Sequence, residues 1–368
     1  MKRQTEHAFY HDKLKLARLA AGKSYLDIGE MLGVTRQYAH KLEVNAVPSD
    51  SQIQLLAEHL LVTEGFFFTP RKRPLELEQC HFRSVRSSTQ TLKRMIAAQV
   101  EIFEGIASHL EDEVAFPPIS IPDIGNADIS GIDSIERLAE RFRRELDLGL
   151  GPVSNMTKLA EKVGALVINV AEADDRVDAF SLFNERPLIV RNTTKLNPCR
   201  LRFDIAHETG HLVLHQGMET GCRLTEEQAN QFASALLMPR TSFSAEFPRM
   251  RGRYLNWPAL KEMKLRWRVS FKALIYRASK LGLLTPDQAK SGFVYLSRHG
   301  YTKTEELDEQ IPLEEPSMVQ RAIDLLDYST WKRVLESSGL TREAVTSRYL
   351  LAVPKPHLSL VRAGRMGY

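Results

Sequence analysis

The sequence predicts an α+β protein that is mostly α: an all-α, five-helix N-terminal domain, then a domain pairing a small sheet with helices, then a helical C-terminal region. Three observations predict it. Apolar residues recur at helical spacing through most of the chain. Three short runs, Ala165–Val170, Ala179–Phe183 and Pro187–Arg191, read as strands. Two breaks interrupt the pattern, one at Pro70–Pro74 and one, rich in Pro and Gly, at Phe116–Gly131. The expected division is 1–70, a linker over 71–130, a core over 131–245 and a helical region over 246–368.

A chain of 368 residues, 43% hydrophobic and 26% charged, has enough apolar side chains for at least one full core. No run reaches about 18 apolar residues, so no membrane span is expected. The opening MKRQTEHAFYHDK lacks the apolar centre of a secretory signal. Cys80, Cys199 and Cys222 are odd in number and show no CxxC spacing, which predicts reduced thiols in a cytoplasmic protein. The net charge is +4, and its excess sits early: about 15 Lys and Arg against about 10 Asp and Glu in the first hundred residues.

In the N-terminal domain Ser24 is an N-cap for Tyr25–Leu32, Gly33 supplies a turn, and Thr35 caps Arg36–Glu43. Ala39 and Leu42 face inward there, which leaves Arg36, Gln37, His40 and Lys41 outward. Arg and Gln at the first turn of such a helix suit base edges in a major groove, and Lys41 suits a phosphate or a base further along. Pro48 and Ser49 open a further helix with Ile53, Leu56, Ala57 and Leu60 as its core face. Segment 13–68, through SYLDIGEMLGVTRQYAHKLE and GFFF, resembles the Cro/Xre-type helix-turn-helix of repressors. The resemblance implies double-stranded operator DNA as partner, touched by Arg36, Gln37 and Lys41. Gly29 departs from the usual alanine, and Val44-Asn45-Ala46 from the usual basic turn.

After the first break, a helical pattern over 88–114 reads as a connector or dimerisation helix, so a homodimer is one expected partner state. Helices follow over Asp133–Leu148 and Asn155–Lys162, then the three strands, then helices near 200–215 and 225–238. The first of that last pair carries His207-Glu208-Thr209-Gly210-His211. Histidines at i and i+4 lie about 6 Å apart on one helix face and can converge on one Zn²⁺. Glu208 is placed to take a proton from water. Chance alone yields such a motif in on the order of 1–2% of chains this long, so context has to decide. Phe203, Ala206, Gly210 and Leu214 share the histidine face and predict a buried stripe. Leu214 and Gly217 stand where a metzincin needs Gly and His. His215 lies about 12 Å along the axis from His207 and reads as a helix-end residue.

Glu226 is the better third ligand. It lies on the stripe of a helix capped by Thr225 and ended by Pro239, where a buried carboxylate needs a partner. Small Ala229 and Ala233 let this helix approach the histidine helix, and Asn230 is placed to orient a ligand histidine. RFDIAHETGHLVLH and EEQANQFASALLMP, with flanks DAFSLFNERPLIVRN and LRWRVSFKALIYRASKLGLL, resemble the ImmA/IrrE metallopeptidases over roughly 130–300. That family's zincin-like, gluzincin arrangement implies His207, His211 and Glu226 as zinc ligands and Glu208 as catalytic base, with Mn²⁺ an alternative metal in vitro. Gln228 and Asn230 stand where Glu or Asp also occur in such proteins.

Together these readings predict a transcriptional regulator that is also a zinc metalloendopeptidase. Its expected substrate is an Xre-type repressor, or the chain itself within 69–125, in a stress or mobile-element response. The competing reading is a non-proteolytic regulator or antitoxin whose zincin domain senses a signal or binds a partner. A peptide substrate is expected to add as a strand along Pro187–Arg191. Tyr254, His299 and Tyr301 are weighed as oxyanion donors, a structural role being favoured for each. Trp267-Arg268-Val269-Ser270 with Ala273, Leu274, Ala278 and Leu281 has the pattern of a second helix-turn-helix-like unit, the less favoured reading.

Overall fold

The computed structural model describes residues 8–72, 74–75, 90–124, 129–170, 179–192, 197–218, 220–250 and 254–355. They form two compact units. The first contains the N-terminal segment to Pro74, Arg94–Phe116 and the chain from Val319 onward; the second is built on Pro117–Met318.

The first unit opens with α1 (His11–Ala20), α2 (Tyr25–Leu32), α3 (Arg36–Leu42) and α4 (Asp50–Leu60), closed by a short 3-10 helix, Glu64–Phe68. Local chemistry sets these boundaries. Ser24 and Asp27 form a reciprocal capping box on α2, Thr35 caps α3, and Ser49 with Gln52 caps α4. Gly33 ends α2 at φ 65°, a left-handed conformation that costs glycine little. Gly29 stands for the usual alanine for a steric reason: a Cβ there would lie 2.8 Å from the Val34 carbonyl oxygen. Glu43, the C-cap of α3, accepts from Arg18 Nε and Nη2 at 2.5 and 3.0 Å and from the Tyr25 hydroxyl at 2.9 Å. This bidentate, mostly buried ion pair fixes α3 against α1 and α2.

Helix α5 (Gln90–Glu111) is the helix read over 88–114. Its apolar face, Ile96, Val100, Phe103, Ile106 and Leu110, is fully buried. Gln99 Nε2 donates to the Ala20 carbonyl at 2.9 Å, so most of the expected linker helix is core of the first unit.

The second unit carries α6 (Ile132–Glu145), α7 (Met156–Lys162), β1 (Leu166–Val170), β2 (Phe180–Phe183), β3 (Pro187–Asn192), α8 (Pro198–Leu214) and α9 (Arg223–Leu237). Helices α10 (Arg240–Glu246), α11 (Trp257–Trp267), α12 (Phe271–Lys280) and α13 (Pro286–Arg298) follow. The sheet order is β1-β3-β2, with β1 parallel and β2 antiparallel to β3. The expected edge, Pro187–Arg191, is therefore the central strand. The reason is topological: Ser181 pairs with Ile189 on one side of β3, while Val167 pairs with the same residue on the other.

Helix α8 is buried on nearly every side rather than along one stripe, because α7, α9, β2 and β3 all pack on it. Helix α9 begins one turn before the expected Thr225 cap. Cys222 is its N-cap, and the Thr225 hydroxyl turns back to donate to the Cys222 carbonyl at 3.0 Å. At its other end Arg143 donates to the Leu236 carbonyl at 2.5 Å and Arg277 to that of Met238 at 2.9 Å. Two buried cations thus satisfy carbonyls at the negative end of the helix dipole.

The chain closes with α14 (Met318–Asp324), α15 (Tyr328–Ser338) and α16 (Arg342–Arg348). From Val319 it belongs to the first unit. Val62 and Leu340 form a bridge, Arg348 donates to the Leu60 carbonyl at 3.0 Å, and the Tyr349 hydroxyl to that of Gln99 at 2.7 Å. The expected single C-terminal region, 246–368, is thus divided at Met318, because Trp331, Val334 and Leu340 bury themselves in the first unit.

Candidate metal centre and nucleic-acid interface

Asn197 caps α8 through a bond to the Arg200 amide, and Pro198 occupies its first turn, so the helix starts cleanly and carries His207 and His211 inward three turns on. The two Nε2 atoms lie 3.1 Å apart. Glu226, in the first turn of α9, brings Oε2 within 3.3 Å of His207 Nε2 and Oε1 within 3.3 Å of His211 Nε2. Among the described residues these three are the one group of His, Cys, Asp or Glu so arranged that they could hold a metal ion. A tetrahedral ion with ligands at about 2.0–2.1 Å requires ligand atoms about 3.3 Å apart; the two imidazole nitrogens come close to that spacing, and each carboxylate oxygen stands at it from one imidazole.

Close helix approach makes this possible. A Cβ on Gly210 would lie 3.2 Å from the Ala229 carbonyl oxygen, so the small pair Gly210 and Ala229 lets α8 and α9 touch through backbone. Burial pushes the Glu226 carboxyl up, but hydrogen bonds from His207 and His211 outweigh it and hold it at about 2. Both imidazoles are 0–1% exposed, whereas the Glu226 side chain is 18% exposed and marks the open side of the cluster.

The remaining predicted residues fall around this triad. Asn230 Oδ1 accepts from His207 Nδ1 at 3.0 Å. Glu208 points to the other flank, where its Oε2 accepts from the Ser181 hydroxyl of β2 at 2.7 Å. Sequence reasoning missed Ser181, since a contact across 27 residues leaves no periodic trace. It also set His215 aside. His215 is too far along α8 to join His207, but its Nδ1 lies 3.0 Å from His211 Nδ1 and its Nε2 is 2.9 Å from Gln228 Oε1. The i, i+4 spacing from His211 was the available signal.

Tyr301 donates to Glu306, and His299 stacks on Tyr295 at 3.8 Å and bonds to the Tyr295 carbonyl. Tyr254 is largely exposed. Cys199 is buried, its thiol pushed up to about 12 mainly by that burial; Cys222 is exposed, and Cys80 lies outside the described residues.

In the first unit Arg36, Gln37, His40 and Lys41 are all exposed on α3. His40 packs edge-to-face on Tyr25 at 5.0 Å. On α11 and α12 the cations are largely engaged: Lys264 with Glu305 and Asp308, Arg266 with Glu246, Arg277 with Glu136. A DNA-reading face needs such charges turned outward, which disfavours a second reader there.

The first unit has the architecture of a helix-turn-helix module. The second, with a His pair and a Glu converging from two helices beside a small sheet, has that of a zincin-like metallopeptidase domain. In agreement, residues 14–67 match the helix-turn-helix family model, and residues 160–279 match the peptidase-family model described as the IrrE N-terminal-like domain. The chain joins the two modules in that order. No curated protein matches it. Among the described residues, no helix is long and apolar enough to cross a membrane.

Proposed function

We propose that this protein is a DNA-binding transcriptional regulator whose second unit is a zinc-dependent metalloendopeptidase. The observation that carries the reading is the convergence of His207 Nε2, His211 Nε2 and a Glu226 carboxylate at 3.1–3.3 Å from two helices. These three residues would hold the ion. Zn²⁺ bound there supplies Lewis acidity, polarising a peptide carbonyl and making water acidic enough to lose a proton near neutral pH.

The chain's own residues do the rest. Glu208, next to His207 in the chain, receives the proton of the attacking water and returns it to the leaving amine. The Ser181 hydroxyl holds one Glu208 oxygen and so sets the carboxylate's resting orientation. The strand beside Glu208 is β2, so a peptide bound as an added strand runs along β2 rather than Pro187–Arg191. Arg36, Gln37, His40 and Lys41 enter the major groove of an operator. The substrate class this pairing of modules favours is an Xre-type repressor, or the chain itself, because DNA tethering concentrates the peptidase near a DNA-bound target.

The test uses purified full chain with Zn²⁺, then Mn²⁺, incubated with a candidate repressor. Glu208→Gln is expected to abolish fragment formation while retaining metal. Cleavage that survives this substitution sinks the mechanism. An operator shift with no cleavage by the wild-type chain favours a non-proteolytic regulator.

A further inference from the structure

His215 is the C-cap of α8, is 0% exposed, and stands between His211 and Gln228. Gln228 Nε2 in turn donates to the Ile129 carbonyl at 2.8 Å. The last member of this chain sets the direction of every proton in it. A backbone carbonyl only accepts, so Gln228 must turn its NH₂ to Ile129 and its Oε1 to His215. That oxygen also only accepts, so His215 carries a proton on Nε2. The two Nδ1 atoms, 3.0 Å apart, then share one proton. Placing it on His215 would create a buried imidazolium in contact with an amide and an imidazole, neither of them anionic, which burial disfavours. The proton therefore belongs to His211 Nδ1, and His211 Nε2 is left as the atom that faces the point shared with His207 and Glu226, where a bound metal would take its lone pair in place of any proton held against the carboxylate.

We infer that His215 and Gln228 are positioning residues for a transition-metal ion: anchored on the Ile129 carbonyl, they hold His211 as the Nδ1–H tautomer with Nε2 presented to the metal. The inference rests on the reading of His207, His211 and Glu226 as ligands. It also explains an amide at 228. A carboxylate there would meet the Ile129 carbonyl acceptor to acceptor at 2.8 Å. Gln228→Glu is therefore expected to lose the Ile129 anchor while still accepting from His215.

The test measures zinc affinity of the full chain by competition with a chromophoric chelator, alongside ¹⁵N imidazole spectra of the metal-free wild type. The expected wild-type His211 signal is that of a ring protonated at Nδ1. His215→Phe and Gln228→Met are expected to weaken zinc binding on the order of 10–100-fold. His215→Asn, whose side-chain oxygen can replace the accepting Nδ1, is expected to recover most of the affinity. Helix content by circular dichroism shows which variants fold; if His215→Phe does not, Gln228→Met and the wild-type spectrum decide. Wild-type affinity in folded His215→Phe or Gln228→Met, or a bare Nδ1 on wild-type His211, overturns the inference while leaving the ligand triad intact. A wild-type chain that takes up no zinc overturns the ligand reading and this inference with it.

Discussion

Glu226 shows how much a single carboxyl can be altered by its neighbours. An ordinary glutamate titrates near 4.5; here burial raises that value, and the two histidines lower it further, to about 2. The folded value lies below the unfolded one. The stabilisation is therefore complete above about pH 4.5 and is lost as pH falls toward 2. In the metal-free chain, the melting difference between wild type and Glu226→Gln should shrink as pH is lowered from 5. A difference that holds constant across that window would show that the carboxylate is not held by the imidazoles. Glu208 is tied instead to Ser181, so the two carboxylates occupy different surroundings 18 residues apart in the chain.

At the scale of elements, the proposed metal site depends on how closely α8 and α9 approach. Gly210→Ala sets two effects against each other. The helix gains about 1 kcal/mol of propensity. The new methyl meets the Ala229 carbonyl oxygen and Phe232 at 3.2 Å, which requires the helices to part by a few tenths of an ångström. Thermal stability should change little while zinc affinity falls severalfold. A variant that binds zinc as tightly as wild type would show that the helix spacing does not matter. Helix α3 is the corresponding element of the first unit. Arg36→Ala should cost about 1–3 kcal/mol of operator affinity and relax sequence preference, whereas Lys41→Ala should reduce the salt slope by about one without changing preference. Binding isotherms over a salt series separate the two, and an unchanged slope for Lys41→Ala removes the phosphate contact.

For the whole molecule, the order of the chain is not the order of the units. The polypeptide leaves the first unit at Phe116 and re-enters it at Val319. The returning segment is integral there: a Cβ on Gly339 would lie 2.9 Å from Phe66 Cβ, Trp331 is 1% exposed, and Tyr349 packs on Phe103 at 5.0 Å. Deleting residues from Val319 onward should destabilise the helix-turn-helix unit by several kcal/mol, since burial of one large side chain is worth about 1.5–3 kcal/mol. Hydrogen exchange in α4 and α5 of the truncated chain provides the measurement, and protection equal to that of the full chain would refute the prediction.

What could be read from one dimension was local. The caps Ser24, Thr35 and Ser49, the turn at Gly33 and the i, i+4 histidines follow from short-range geometry, and each is present in the structure. Glu226 and Asn230 were legible because a polar residue on an otherwise apolar stripe demands a partner. The tertiary structure alone decided the rest. It placed β3 at the centre of the sheet, gave Glu208 its Ser181 contact, joined His215 to Gln228, and assigned α14–α16 to the first unit. These depend on contacts between residues far apart in the chain, where side-chain periodicity carries no information about which surfaces meet.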